Sequence, residues 1–281
     1  RGLALGGVAV VAEESLAGIN VGGVAIVSNG SATGINVGGL AVVTDGELAG
    51  ANLGGLAVVA DGNMMGVNLG GLATVAEGNM TGLNLGGLAS VADGNMRGLS
   101  LGGLAVVANG GLRGINAGGL AAVADGQIEG LNVGGLAVVA GDRLKGFSIG
   151  GLAVVGNGGV RGLSLAGLAV VAGQGRVGGI SVAAVAVESS EAIDGLAVGG
   201  WRVRAPELHG LAVSIAQTRS TDLTGLGIGV YNEVRGVQKG ITIGVYNDAR
   251  RLNGFQIGLL NRARNNPPPF EYLPILNAHI D

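Results

Sequence analysis

Cysteine is absent from this 281-residue chain, which removes a disulfide framework, thiolate catalysis and cysteine-based metal sites together. Histidine is nearly absent: His209 and His279 are the only two, 70 positions apart. Zinc-ligand spacing is therefore missing, and a capping hydrogen bond or solvent exposure is the expected role of each. Aromatic residues amount to 2%. A core for a chain of this size ordinarily uses more rings, because rings bury the most area per residue, so something other than bulky side chains fills the interior. Apolar runs such as Leu-Ala-Val-Val-Ala stop after five to seven residues at Gly, Asn or Asp, far short of the roughly 20 a membrane-spanning helix needs. That count does not exclude a β-barrel.

Charge is also scarce, at 12% of residues. Residues 1–195 carry 7 Lys and Arg against 13 Asp and Glu, a net of −6, and residues 196–281 carry 9 against 6, a net of +3. Neither part has the clustered basic surface of a nucleic-acid binder, so nucleic acid is not expected as a partner. No charged segment followed by an apolar stretch opens the chain, which begins within a repeat at Arg1-Gly2. Any export signal is expected to have been removed or to lie outside these residues.

What is abundant is glycine, 60 of 281 residues, with 48% hydrophobic residues. Glycine is not every third residue, which excludes collagen, and the apolar content excludes generic glycine-rich disorder. Glycine instead punctuates a repeat. From Ile19, units of 16 residues begin at 35, 51, 67, 83, 99, 115, 131, 147 and 163. In the unit that starts at Leu83, positions 1 and 3 are aliphatic (Leu83, Leu85), position 2 is Asn84, and positions 4 and 5 are Gly86-Gly87. Leu88, Ala89, the variable Ser90, Val91 and Ala92 follow, and Asp93-Gly94-Asn95, Met96, Arg97 and Gly98 close the unit. Four or five glycines per unit, each costing about 1 kcal/mol relative to alanine in a helix, argue against helices. Strands joined by Asp-Gly and Asn-Gly turns fit.

Two all-β architectures use such a unit. In a β-solenoid of 16-residue coils, each unit stacks on the last and like positions form columns about 4.8 Å apart. In an up-and-down outer-membrane β-barrel of about 16 strands, neighbours run antiparallel. The sameness of every turn, and the absence of any aromatic residue from 19 to 146 where a barrel would carry aromatic girdles, favour the solenoid; the barrel stays open as the alternative. The expected columns include Asn52, Asn68 and Asn84, whose amides can bond one another; Leu56, Leu72 and Leu88; and Val59, Val75 and Val91. The Gly-Gly pair marks a corner that needs positive φ or close backbone approach. If that corner resets the strand alternation, the leucine column turns into the core, the favoured reading; if it does not, the leucines form an exposed apolar stripe.

The expected organisation is a regular solenoid over 1–195, degenerate 14–15-residue repeats continuing it over 196–266, and a capping tail over 267–281, where Pro267, Pro268 and Pro269 cannot donate to a sheet ladder. The segments "GITIGVYNDARRLNGFQIGLLN" and "NNPPPFEYLPILNAHID" resemble a bacterial surface-repeat family of mostly uncharacterised envelope proteins. Its members repeat a Gly-hydrophobic-x-Ile-Gly-hydrophobic-hydrophobic-Asn unit and end in a Pro- and aromatic-rich tail. The resemblance covers about residues 225–281 and implies a location in the bacterial cell envelope; it supplies no catalytic residues.

Chemistry is sparse. Asp45, Asp61, Glu77, Asp93 and Asp125 share position 11, but one acid per coil falls short of a calcium loop, and Asp before Gly is ordinary turn grammar. Gly225, Gly227 and Gly229 lack the helix of a nucleotide loop. No metal, cofactor or catalytic set is expected. The expected interaction surface comprises Trp201, Arg202, Arg204, Arg235, Lys239, Arg250, Arg251, Arg262 and Arg264. These observations point to a non-enzymatic structural or interaction protein of the envelope that docks to a protein partner or complex through its more basic C-terminal part, with contact to a membrane surface as a second mode. A barrel pore is the alternative function, and a solenoid enzyme acting on polysaccharide a third.

Overall fold

A computed structural model describes residues 2–280, and among them all regular structure is β-strand. The chain forms two compact units, Arg1–Gly141 and Asp142–Asp281, each built of coils of parallel strands. In the first unit every coil supplies a longer and a shorter strand, such as Met80–Gly86 and Ala89–Ala92. Met80–Gly86 pairs in parallel with Met64–Gly70 on one side and Met96–Gly102 on the other, so that Asn84 lies opposite Asn68 and Ser100. Ala89–Ala92 pairs likewise with Ala73–Ala76 and Ala105–Ala108. The fold is therefore a β-solenoid. The barrel alternative fails, because an up-and-down barrel requires antiparallel neighbours and these partners run parallel with an offset of one whole repeat.

Five of the sixteen residues in the coil that starts at Leu83 are buried: Asn84, Gly86, Ser90, Ala92 and Met96. Between them the chain turns three corners, Gly87-Leu88-Ala89, Asp93-Gly94-Asn95 and Arg97-Gly98-Leu99, and none of these nine residues is buried. This pattern corrects the expected inward leucine column. The corner does interrupt the alternation, but across three outward residues, so Leu56, Leu72 and Leu88 stand outside at 45%, 46% and 46% exposure. Val59, Val75 and Val91 do stack in register, yet on the outer side, half-buried. The inward column is the variable eighth position, Val58, Thr74 and Ser90.

Large side chains enter the interior at one position per coil. Leu48, Met64, Met80, Met96, Leu112 and Ile128 are fully buried, each burial contributing about 1.5–3 kcal/mol. They share the space with columns of glycine, alanine and asparagine, which leaves no room for rings. The asparagines form a buried amide ladder: Asn20 donates to Asn36 at 2.8 Å, Asn36 to Asn52 at 2.7 Å, Asn52 to Asn68 at 2.8 Å and Asn68 to Asn84 at 2.8 Å. It resumes from Asn116 to Asn132 at 2.9 Å. At Ser100 it breaks, leaving Asn84 Nδ2, Ser100 Oγ and Asn116 Oδ1 buried without partners.

Two glycine columns have distinct causes. Gly82 and Gly98, at the last position of their units, have φ of 111° and 113°, in the region that side-chain-bearing residues rarely enter. Gly87 has no such φ; a Cβ there would overlap the Gly71 carbonyl of the neighbouring coil. The Gly-Gly pair thus serves close approach, and the positive φ belongs to a different corner.

In the second unit the coil length varies while the positive-φ glycine is kept. Val160 pairs with Val177, 17 residues on, with the extra residue lying between Ala172 and Val177. Gly195, Gly210, Gly225 and Gly240 then stand opposite one another at steps of 15, and all four have positive φ. The run Tyr231–Ala263 passes through successive corners without losing strand pairing. Here the amide ladder moves to another side: Asn232, aligned with Thr218, donates to Asn247 at 2.7 Å, and Asn247 donates to Asn261 at 2.7 Å. The tail strand Tyr272–His279 lies antiparallel to Gly254–Arg262, and Asn277 Nδ2 reaches the Asn261 carbonyl at 3.4 Å, so the tail covers the end of the ladder.

Two outcomes follow. Gly87→Ala and Gly98→Ala each destabilise the chain by about 3 kcal/mol or more, while Arg97→Ala, at an exposed position between them, changes stability by less than about 0.5 kcal/mol; denaturant melts followed by circular dichroism check this, and equal midpoints for the three variants contradict it. Ser100→Asn joins the two ladder segments and raises the midpoint by the equivalent of about 1–3 kcal/mol, because unpaired buried amide groups regain partners. Asn52 already fits beside the buried Val58, and position 100 has the equivalent neighbour, the buried Val106, so a lowered midpoint contradicts the ladder's role.

Candidate functional site

The outward columns make the first unit amphipathic. Positions 1, 3, 6, 7 and 9 are aliphatic, and from Ile19 to Ala140 no charged residue occupies any of positions 1 to 10. Column 6, represented by Leu40, Leu72, Leu104, Leu120 and Leu136, is close to half exposed throughout, as are Ile35 and Ile115 in column 1. Beside the column-3 side chains the glycine pairs leave an open groove of about 880 Å³, walled by Leu53, Leu69, Leu85 and Leu101 and floored by glycines such as Gly86 and Gly87. Contiguous apolar surface of this extent is rare on a free monomer.

The polar residues gather on the remaining side. Asp45, Asp61, Glu77, Asp93 and Asp125 occupy exposed turns, and Asn109 Nδ2 donates to Asp93 at 3.0 Å. Beside them runs a second, exposed amide ladder in which Asn79 donates to Asn63, and Asn95 to Asn79, both at 3.1 Å.

In the second unit the residues expected to form one basic surface are distributed differently. Trp201 is 62% exposed and belongs to the apolar corner column, its amide donating to Val185 O at 2.8 Å just as Val185 donates to Leu168 O at 3.0 Å. Arg204 stands in register between Glu188 and Arg219, and Arg219 opposite Glu233, so this outer column mixes signs. Arg202 pairs with Glu188, Arg235 with Glu233 at 3.0 Å, Arg262 with Glu271 at 2.8 Å and Arg264 with Asp248 at 2.6 Å. Arg250 lines a cleft with Glu233, Arg235, Asp248 and Arg264, and Arg251 is exposed. Lys239 aligns with Thr224 and His209 on another side of the coil. The structure therefore pairs four of these cations with carboxylates: Arg202 and Arg264 reach acids one coil away, 14 and 16 residues back in the sequence, while Arg235 and Arg262 meet acids 2 and 9 residues away.

The same separation hides a cluster that sequence reading misses. Arg143, Lys145, Arg161 and Arg176 line a cleft of about 220 Å³ with Glu191 and the turn glycines Gly158, Gly159 and Gly175. Arg176 also meets Asp194 at 3.1 Å and Glu207 at 3.4 Å, so carboxylates offset much of its charge. His209 Nδ1 lies 3.0 Å from Asp194 Oδ1, and His279 Nδ1 contacts Asn266 Oδ1. Among the described residues no three His, Asp or Glu side chains gather in a metal-holding group.

Tyr231 and Tyr246, next to Asn232 and Asn247 of the ladder, stack with centroids 5.5 Å apart and ring planes nearly parallel. Burial, then the nearby Glu233, pushes the Tyr231 phenol above its ordinary range, and burial followed by Asp248 does the same for Tyr246. Compared with family models, with curated proteins and with solved structures, the chain matches none of them.

A pH dependence follows from the tyrosine pair. The folded state holds both phenolic protons more tightly than the unfolded chain, so their contribution is intact below about pH 10 and declines as pH rises from there toward the raised folded values. Tyr231→Phe combined with Tyr246→Phe flattens that alkaline decline in urea midpoints measured from pH 9 to 11.5; an unchanged slope contradicts the assignment.

Proposed function

We propose that this chain is a non-catalytic structural and interaction module of the bacterial cell envelope, and that its working surface is the aliphatic outer face of the coils. One observation carries the reading: across eight consecutive repeats the position-2 side chain, asparagine or at Ser100 a serine, is turned inward, while leucine, isoleucine and valine columns are turned outward with no charge among them. So narrow a coil cannot bury all of these side chains, but a chain whose only task was to fold could carry polar residues at the outward positions; holding aliphatic ones there is sensible where another apolar surface covers them. The envelope location draws on the resemblance of residues 225–281 to the surface-repeat family. Pairing of the C-terminal cations with carboxylates favours the apolar face over a basic patch as the contact.

The triple substitution Leu72→Ser, Leu88→Ser and Leu104→Ser tests this. Each side chain is already half exposed, so the variant keeps the wild-type circular dichroism spectrum. In envelope fractions of the producing cells, wild type resists a carbonate wash and the variant is released. Identical partitioning of the two proteins contradicts the proposal.

A further inference from the structure

We infer that the groove-bearing face of the first unit is covered by a second copy of this chain. The inference rests on the reading of that face as a contact surface and names its occupant. Three observations select a copy of the chain over a lipid surface or an unrelated partner.

The first is relief. The face carries a ridge of column-3 side chains, Leu53, Leu69, Leu85 and Leu101, along the glycine-floored groove, and the half-exposed column-6 leucines follow the glycine pair in each coil. Such a surface is complementary to itself: about a two-fold axis parallel to the coil stack, a leucine ridge of each copy enters the groove of the other, an isologous contact. The ridges repeat at the same strand spacing on both copies, so the fit recurs at every coil rather than at one.

The second is area. Eight coils at about 4.8 Å each, and six positions at about 3.3 Å per residue, give a charge-free face of roughly 760 Å². Two copies would bury roughly 1,500 Å², within the range of about 1,200–2,000 Å² of stable interfaces.

The third is charge and chemistry at the rim. Arg1–Gly141 carries 3 arginines and no lysine against 9 acids, a net of −6, and contains no aromatic residue. Amphipathic surfaces that sit on lipid use basic flanks and aromatic anchors, and an anionic headgroup layer would repel this unit. From Asp45 to Glu129 every acid lies in positions 11, 13 or 15 of its repeat, on the side away from the groove, so two copies can meet without bringing carboxylates together.

Sedimentation equilibrium of the full chain from 1 to 100 μM tests the inference, with Leu69→Glu plus Leu101→Glu as the variant that puts like charges on both sides of the contact. Wild type is expected at twice the chain mass of 27.2 kDa, and the variant at the chain mass with an unchanged circular dichroism spectrum. Single-cysteine chains supply a readout that does not depend on the charged variant folding: Leu88→Cys copies cross-link through a short bis-maleimide, and Arg97→Cys copies, on the polar side, do not. A monomeric wild type across the range overturns the inference, as does a dimer whose mass and cross-linking ignore these substitutions. Flotation with vesicles of phosphatidylethanolamine and phosphatidylglycerol in a 7:3 ratio then separates the two failures. A monomer that floats, while the triple leucine-to-serine variant does not, overturns self-association and keeps the contact-face reading; a monomer that neither floats nor differs from that variant in carbonate retention overturns both.

Discussion

In-register parallel pairing of each residue with its counterpart one repeat away is the constraint on which the rest of the structure depends. With the coils only about 4.8 Å apart, whatever a position holds must tolerate a copy of itself directly above and below. Glycine at the close-approach corner follows because any Cβ at Gly87 would occupy the space of the Gly71 carbonyl. Asparagine in the interior follows because an amide is both donor and acceptor, and so can bond to an identical neighbour on each side. A buried charge in the same column would meet its own sign at every step. The charged column Glu188, Arg204, Arg219 and Glu233 mixes the signs, and the buried Asp248 is paired with Arg264.

The same constraint explains the unusual distribution of polarity. Three corners consume nine of sixteen residues, and only five point inward, so the coil is too narrow to hide the aliphatic content that its strands carry. One large side chain per coil, the Met64–Met80–Met96 column and its aliphatic equivalents, fills the centre; the remaining leucines and valines are displaced to the surface. Stability thus comes from ladder hydrogen bonds and a thin apolar seam, and the outer face is left for association. Concentration of polar residues on one side keeps the remaining sides uniform, and it is this uniformity, more than any individual side chain, that makes the first unit a surface suited to another regular surface.

Much of this was legible from sequence. The 16-residue period, the sameness of its turns and the lack of rings pointed to stacked parallel coils, and the Asn52–Asn68–Asn84 column was readable as a ladder. The orientation of Leu88 and Val91 was not, because a period-two pattern can be followed only when the corners are known, and here each corner advances the chain by three outward residues. The clue lay in the eighth position: Ile26, Val58, Thr74, Ser90 and Ala122 vary in polarity but carry neither charge nor ring, the mark of a confined interior site. The C-terminal arginines misled for a related reason. Neighbours in this fold are 14 to 17 residues apart, so Arg264 and Asp248, distant in sequence, are a pair, whereas Lys239 and Arg235, near in sequence, lie on different sides.

The central claim, polar ladder inside and aliphatic columns outside, can be tested most directly by thiol reactivity, since the chain has no cysteine of its own. Ser90→Cys and Val91→Cys place a thiol at adjacent positions on a side of the coil that the proposed contact does not use. The account predicts that the thiol at position 91, half-buried on the outer side, reacts with a maleimide reagent in the folded protein, and that the thiol at position 90 is protected until the protein unfolds. Protection at 91 with free reaction at 90 would contradict the inward and outward assignments on which the fold description and the proposed contact both rest.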